Sequence, residues 1–460
     1  MALGVGCGSS ADTACVAGAA FPAPRFTKND GITATVPNAC VDTTDLALVP
    51  STQTTLDDAI ARLLSQNGLS AHGGARCAWT ITFTGDALPL DADATRAWSA
   101  APASGRWAAE TVVVGPTEAA TTVRADDAST ALNALRVLLA SGSAVAEGTI
   151  VDGPNFASRG IIEGSYGSPW SVDDRATTIA LLGRLRGNVY VYAPKEDPFA
   201  NERWADLYPA DRLEAIARAA AQAKRDLVDF YWAVSPGWRT GPPISSIQYG
   251  NEDDFTRLTA KLSQLRAAGV DHFALFLDDI RPDFAWPADA TIFGSLAAAH
   301  ALLANRLEAI VASSDTTDLW FVGTHYFFDE DWLDYNTTLG NSLDPRVTVL
   351  WTGPSVYSKT ITASDLAPID LALRRNVAVW DNAPSHVLPL GGRASDLASA
   401  ASGYLANTVF RESGQRLEDY LAILGTVADY DWDTERYEPT TSIAQWARVR
   451  TCLVLQSREK

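Results

Sequence analysis

Two aspartates, Asp278 and Asp279, stand side by side directly after the apolar run His-Phe-Ala-Leu-Phe-Leu at 272–277. Carboxylates this close repel each other, so one is expected to ionise while the other holds a proton near neutral pH. A proton donor beside a fixed negative charge is the equipment of general acid/base catalysis. An adjacent Asp pair also serves as a solvated loop or a helix cap, so the pair has to be weighed through the elements that present it.

Those elements alternate. From Arg159 onward short apolar runs at 160–163, 189–193, 227–234, 272–277, 319–323, 347–351, 377–380 and 403–406 read as strands. Helical segments lie between them, with starts marked by Ser171 and Asp174, by Pro209 in a first turn before Leu213 and Ile216, and by Thr362 and Asp365. A closing helix is expected over 417–427. Eight such units predict a (β/α)8 TIM barrel, whose active site is built at the C-terminal ends of its strands. Those ends read Gly164 and Tyr166; Lys195; Ser235-Pro236-Gly237; Asp278 and Asp279; Tyr326; Trp351-Thr352-Gly353; Asp381-Asn382; and Asn407. Amides, a lysine and carboxylates bind hydroxyl groups while Trp and Tyr faces stack on C–H surfaces, so the ring suits a polyol ligand.

Ahead of the barrel, helices at 56–66 and 128–140 and strands at 79–83 and 111–114 predict a small α+β domain over 46–154. Residues 1–45 read as a flexible lead-in or signal remnant, 155–435 as the catalytic barrel and 436–460 as a short helical tail, a C-terminal extension with its helix over 441–455. The 460 residues carry a net charge of -19, which disfavours a nucleic-acid partner. No apolar run reaches the roughly 20 residues of a spanning helix. The five histidines (His72, His272, His300, His325, His386) lack paired ligand spacing and no metal or cofactor is called for. The segment Gly-Ser-Tyr-Gly-Ser at 164–168 lacks the Gly-Lys-Ser/Thr ending of a phosphate loop, and no Gly-x-Ser-x-Gly elbow is present. Cys7, Cys15, Cys40, Cys77 and Cys452 show no zinc spacing; in an exported protein a disulfide such as Cys40 to Cys77 fits, with an odd thiol left over. The small-residue start lacks a basic n-region, and fits both the remnant of a secretion or lipoprotein signal and an ordinary flexible terminus. The working expectation is an exported bacterial protein, secreted or lipid-anchored.

Five ordered segments then add a resemblance: Arg159-Gly-Ile-Ile-Glu-Gly-Ser-Tyr-Gly-Ser-Pro-Trp170, Tyr192-Ala-Pro-Lys-Glu-Asp-Pro198, Phe276-Leu-Asp-Asp-Ile280, Trp351-Thr-Gly-Pro354 and Trp380-Asp-Asn-Ala-Pro384. Together with Ala428-Asp-Tyr-Asp-Trp432 they resemble glycoside hydrolase family 84, the β-N-acetylglucosaminidases that include O-GlcNAcases and bacterial hyaluronidase-like enzymes. The resemblance implies substrate-assisted, retaining hydrolysis of a terminal β-GlcNAc on a glycan or glycoprotein. It assigns Asp278 to the 2-acetamido group and Asp279 to proton transfer. It places Tyr326 near the acetamido oxygen, Trp380 and Asn382 in the sugar pocket, and Gly164, Lys195 and Asn407 against sugar hydroxyls.

Plainer roles stay open: barrel packing for Trp380, a surface ion pair with Glu196 or Asp197 for Lys195, a turn for Gly164, a helix cap for Asn407 and closure of the barrel top for Tyr326. One departure is large. Where the family carries a hydroxyl-gripping Asp, this chain has Val387 in the stretch Ala383-Pro-Ser-His-Val387, leaving His386 or Asp396 as substitutes. A hexosaminidase with shifted sugar preference, for example toward GalNAc, and a glycan-binding protein that has lost turnover are therefore the alternative functions.

Overall fold

The computed structural model describes residues 20–458 apart from 72–76, 165, 168–169, 238–245, 313–317, 383–389 and 408–416. Strands β1 (Phe26–Thr35), β2 (Asn38–Asp42), β3 (Ser70–Ala71), β4 (Trp79–Thr84), β5 (Trp107–Gly115), β6 (Glu118–Arg124) and β7 (Ala144–Asp152) form one mixed sheet in the order β1-β7-β5-β6-β4-β2-β3. Alternation along β4 turns Trp79, Ile81 and Phe83 onto one face, where they meet Leu56, Ile60, Leu63 and Leu64 of α1 (Pro50–Gln66). Leu132 and Leu135 of α3 (Ala128–Leu138) complete that layer, while α2 (Ala92–Ala100) lies on the other face with Ala94 and Trp98.

One expectation changes here. Residues 26–42 belong to this domain and not to a loose lead-in. Edge strand β1 is exposed along most of its length and is ordered by pairing with β7, so it carries no apolar period of its own to read. Cys40 and Cys77 are joined by a disulfide.

The second unit is a closed, all-parallel barrel of eight strands. They are β8 (Ser158–Glu163), β9 (Val189–Tyr192), β10 (Asp229–Val234), β11 (His272–Phe276), β12 (Leu319–Val322), β13 (Thr348–Trp351), β14 (Ala378–Asp381) and β15 (Gly403–Asn407). Around it run α4 (Val172–Arg184), α5 (Ala210–Arg225), α6 (Glu252–Ala267), α7 (Pro287–Phe293), α8 (Leu296–Val311), α9 (Trp332–Ser342), α10 (Ala363–Leu373) and α11 (Leu417–Trp432). Ser171 caps α4 through the Asp174 amide, and Thr362 and Asp365 form a reciprocal capping box on α10. Pro209 occupies the N-cap of α5, one position before the expected first turn. The final helix α12 (Pro439–Arg458) lies within the predicted tail, is longer at both ends than the helix expected over 441–455, and packs on α11, with Trp446 against Gly425. No helix among the described residues is long and apolar enough to cross a membrane.

The two units are tied at the N-terminal end of the barrel. Asp152, the last residue of β7, is fully buried and pairs with Arg186 at 2.6 Å, while Trp432 Nε1 donates to its other oxygen at 2.7 Å. The Arg186 guanidinium lies 3.7 Å from the Trp432 ring centroid.

Candidate active site

Strand alternation decides which way the carboxylate pair faces. On β11, Ala274 and Phe276 enter the barrel interior, whereas Phe273, Leu275 and Leu277 pack outward against the helices. The same period of two makes Asp278 the next inward residue. Asp279 would then point away, but its backbone turns left-handed (φ 55), a conformation that Asp tolerates better than most residues. Breaking the alternation at that residue lets both carboxylates line one pocket at the C-terminal mouth of the barrel.

Asp278 is buried, and one oxygen accepts a hydrogen bond from the Lys195 ammonium. Its other oxygen, Oδ1, has no hydrogen-bond partner among the described residues. Burial pushes the Asp278 carboxyl above its usual range; Lys195 pulls it back and the nearby Asp279 pushes it up again. Lys195 is thus neither on the surface nor paired with Glu196 or Asp197, because a buried carboxylate recruits the nearest cation to offset its lost hydration. Its loop is held firmly. Asn201 Nδ2 donates to the carbonyls of Pro194, Lys195 and Asp197 at 3.1, 3.1 and 2.8 Å. Asp197 itself takes the Tyr192 and Tyr208 hydroxyls at 2.8 and 2.6 Å.

Asp279 is exposed and is held by two phenols. Tyr326 donates to Oδ1 at 2.8 Å and Tyr166 to Oδ2 at 2.7 Å. Burial, reinforced by Asp279 and Asp278, pushes the Tyr326 hydroxyl far above the ordinary phenol range, so Tyr326 stays a hydrogen-bond donor. Tyr326 therefore does more than close the barrel top.

The opposite wall is a chain of amides. Gly164 N donates to Asn407 Oδ1 at 3.2 Å, Asn407 Nδ2 to Asn382 Oδ1 at 2.8 Å, and Trp380 Nε1 to the same Asn382 oxygen at 2.7 Å. Asn382 Nδ2 continues to the Val356 carbonyl at 2.8 Å. Asn407 thus serves this wall and not a helix cap. Trp380 fills both readings, packing on Phe276 at 5.1 Å between ring centroids and lining the pocket. At Gly164 a Cβ would lie 2.9 Å from Trp380 Cζ2 and 3.2 Å from Asn407 Oδ1. Glycine is required there by the approach of these two side chains.

All eight residues singled out from sequence line this pocket: Gly164, Lys195, Asp278, Asp279, Tyr326, Trp380, Asn382 and Asn407. Sequence reasoning put Tyr166 and Thr352 at strand ends without roles, and missed Val356 and Tyr357 altogether. Proximity to Gly164 was the available signal for Tyr166; nothing in the order of residues says how the loop after β13 folds back. Ser235 to Gly237 do not reach the pocket. Ala383, His386 and Val387 lie outside the described residues. Asp396 is exposed and accepts the Ala363 amide at 3.3 Å, away from the pocket. A larger cavity of about 520 Å³ lies at the opposite end, by the strand starts Asp229 and His272 and the first turns of α1 and α3. Residues at that end of a TIM barrel ordinarily serve stability. Among the described residues no group of three or more His, Cys, Asp or Glu is placed to hold a metal ion.

Comparison with known proteins agrees with this geometry. The sequence profile described as beta-N-acetylglucosaminidase matches residues 159–454. Protein O-GlcNAcase of Rattus norvegicus is 29% identical over 279 residues, covering 58% of this chain and 30% of the relative. The Mus musculus protein is 29% identical over 259 residues, covering 54% and 27%. The chain thus spans less than a third of the length of these curated relatives. An O-GlcNAc hydrolase mutant of Thermobaculum terrenum superposes with a TM-score of 0.59 at 29% identity, covering 65% of this chain and 64% of that one. CpGH84B superposes with a TM-score of 0.72 at 21% identity, over 92% of this chain and 73% of its own, which is a likeness of fold. With the paired carboxylates at the mouth of the fourth barrel strand and a profile match across nearly the whole barrel, the chain belongs to the β-N-acetylglucosaminidase family, glycoside hydrolase family 84.

Proposed function

We propose that the protein is a retaining, exo-acting β-N-acetylglucosaminidase that uses the substrate's own acetamido group as nucleophile. The observation that carries this reading is Asp278 Oδ1, a buried acceptor with no donor among the described residues, beside the exposed Asp279. A buried acceptor left unmade costs stability unless a ligand supplies the missing donor. The amide N–H of a bound N-acetyl sugar is such a donor. With that N–H on Asp278, the acetamido carbonyl oxygen is free to attack the anomeric carbon from the face opposite the leaving group, while Asp279 gives a proton to the departing glycosidic oxygen. The oxazolinium intermediate is then opened by water, which loses its proton to Asp279. Two displacements at one carbon give net retention, and no enzyme nucleophile is needed, which is a known exception to the usual two-carboxylate scheme. On sugar binding Tyr326 turns its one hydroxyl hydrogen from Asp279 to the acetamido oxygen, and the amides of Asn382 and Asn407 supply partners for the sugar hydroxyls. A pocket backed by Trp380 suits a terminal sugar of a glycan or glycoprotein.

The test is hydrolysis of para-nitrophenyl β-GlcNAc beside its GalNAc counterpart, with the anomer of the first product followed by NMR. Faster cleavage of the GlcNAc compound with a β-configured first product is expected. An α-configured product would sink the mechanism, and an inert enzyme would sink the function in favour of a binding protein. Val387 in place of the family's Asp favours one second reading, a shift toward GalNAc, which the same pair of substrates reports. We also propose export, supported by the Cys40 to Cys77 disulfide, since such bonds persist in oxidising compartments. A free-thiol count on protein isolated from its native compartment checks it, and reduced Cys40 there would overturn it.

A further inference from the structure

We infer that Tyr357 is a stacking platform for the leaving group, selecting substrates in which the scissile sugar is linked to a second pyranose ring. This rests on the glycosidase reading above and names the substrate class of that site. Two large apolar side chains are both exposed and pocket-lining among the described residues, Tyr166 at 38% and Tyr357 at 55% exposure. Tyr357 is the more exposed of the two. Tyr357 stands across the pocket mouth, after β13.

Its backbone is fixed on both sides. Before it, the Val356 carbonyl accepts Asn382 Nδ2 at 2.8 Å; after it, the Ser358 carbonyl accepts Arg393 Nη2 at 3.0 Å. Arg393 is anchored in turn by Asp381 at 2.5 and 2.6 Å. Ser358 Oγ bonds the carbonyls of Thr352 and Ser355 at 3.1 and 2.9 Å, and Gly353 (φ 99) permits that turn, since a Cβ there would lie 2.4 Å from the same hydroxyl oxygen. A loop tied down this thoroughly could have buried an aromatic ring, yet it holds this one out at the mouth. An exposed flat ring on a hydrogen-bonded loop that lines the pocket can stack on the C–H face of a pyranose. A peptide leaving group would instead be gripped through main-chain hydrogen bonds. The carbonyls flanking Tyr357 are already engaged by Asn382 and Arg393, which favours a ring-to-ring contact.

The experiment compares kcat/KM for three substrates: β-linked GlcNAc-GlcNAc disaccharide, trifluoroethyl β-GlcNAc with its small acyclic leaving group, and a Ser-linked GlcNAc peptide. Tyr357→Ala is expected to lower kcat/KM on the disaccharide about five- to tenfold more than on the trifluoroethyl glycoside, and Tyr357→Phe to keep the wild-type ratio. Equal losses on both, or no loss on either, would overturn the platform. So would a selective loss on the peptide, which would mean a protein-binding edge. Wild-type enzyme that leaves the trifluoroethyl glycoside intact would refute the glycosidase reading itself, so the two failures are told apart.

Discussion

The two ends of the barrel each bury an aspartate against a cation, and they treat it differently. At the N-terminal end Asp152 is saturated: Arg186 holds one oxygen, and Trp432 Nε1 and the Gly153 amide hold the other. At the C-terminal end Asp278 has Lys195 on one oxygen and, among the described residues, nothing on the other. Unpaired buried atoms also occur away from this pocket, Asp431 Oδ1 among them, so it is the position of the Asp278 orphan in the pocket beside Asp279 that marks a place to receive a donor. The saturated pair joins the two domains and the last barrel helix. The unsaturated pair faces the pocket, beside a second carboxylate on a left-handed residue. The contrast teaches that charge burial by itself says little about function; the state of the remaining lone pairs says much more.

The strongest way to break this comparison is at Asp279. Asp279→Ala is expected to cut kcat on an unactivated N-acetylglucosaminide by about 10²- to 10⁴-fold while the thermal midpoint stays near wild type. Turnover at the wild-type rate would remove Asp279 from the chemistry. Next in size is the saturated pair. Arg186→Met leaves Asp152 buried without its cation and is expected to cost about 3–5 kcal/mol in urea unfolding, with kcat/KM of the folded fraction retained. A loss below about 1 kcal/mol would show that the interdomain pair contributes little.

Lys195→Met makes the same deletion at the other end, and a smaller stability loss is expected because Asp278 can take up a proton. The sign follows from its shift: burial already raises the Asp278 carboxyl, Lys195 opposes that rise, and removing the cation raises it further. Activity that needs ionised Asp278 is lost as pH falls through its folded value, so the acid limb of the kcat/KM profile should lie above the ordinary Asp value of about 3.9 and move upward in the variant. A limb that stays put would separate Lys195 from Asp278. The smallest effect is expected from Tyr166→Phe, which deletes one hydrogen bond to Asp279 and should lower kcat/KM by about 0.5–1.5 kcal/mol, roughly two- to tenfold.

The barrel was legible because eight parallel strands buried on both faces must each be an apolar run, and the helices between them announce their starts with Ser171 and Thr362. The first domain was half legible. α1 and β4 carry strong periods, but β1, β2, β6 and β7 do not: an edge strand, or one with a solvated face, takes its order from its neighbours and leaves little trace in its own composition. At the site, strand ends gathered seven of the eight lining residues, because a TIM barrel converts chain order into a ring, and the family resemblance added Trp380.

What the order of residues could not supply was orientation and pairing. It did not show that Asp279 leaves the strand register, that Lys195 turns inward to Asp278, or that Gly164 is demanded by Trp380 and Asn407. Nor did it show that the loop after β13 returns Val356 and Tyr357 to the mouth. Chemistry and topology are local in sequence, since side-chain identity and apolar period are written residue by residue. Which lone pair is left open is settled by contacts between strands dozens of residues apart, and only the closed barrel brings those together.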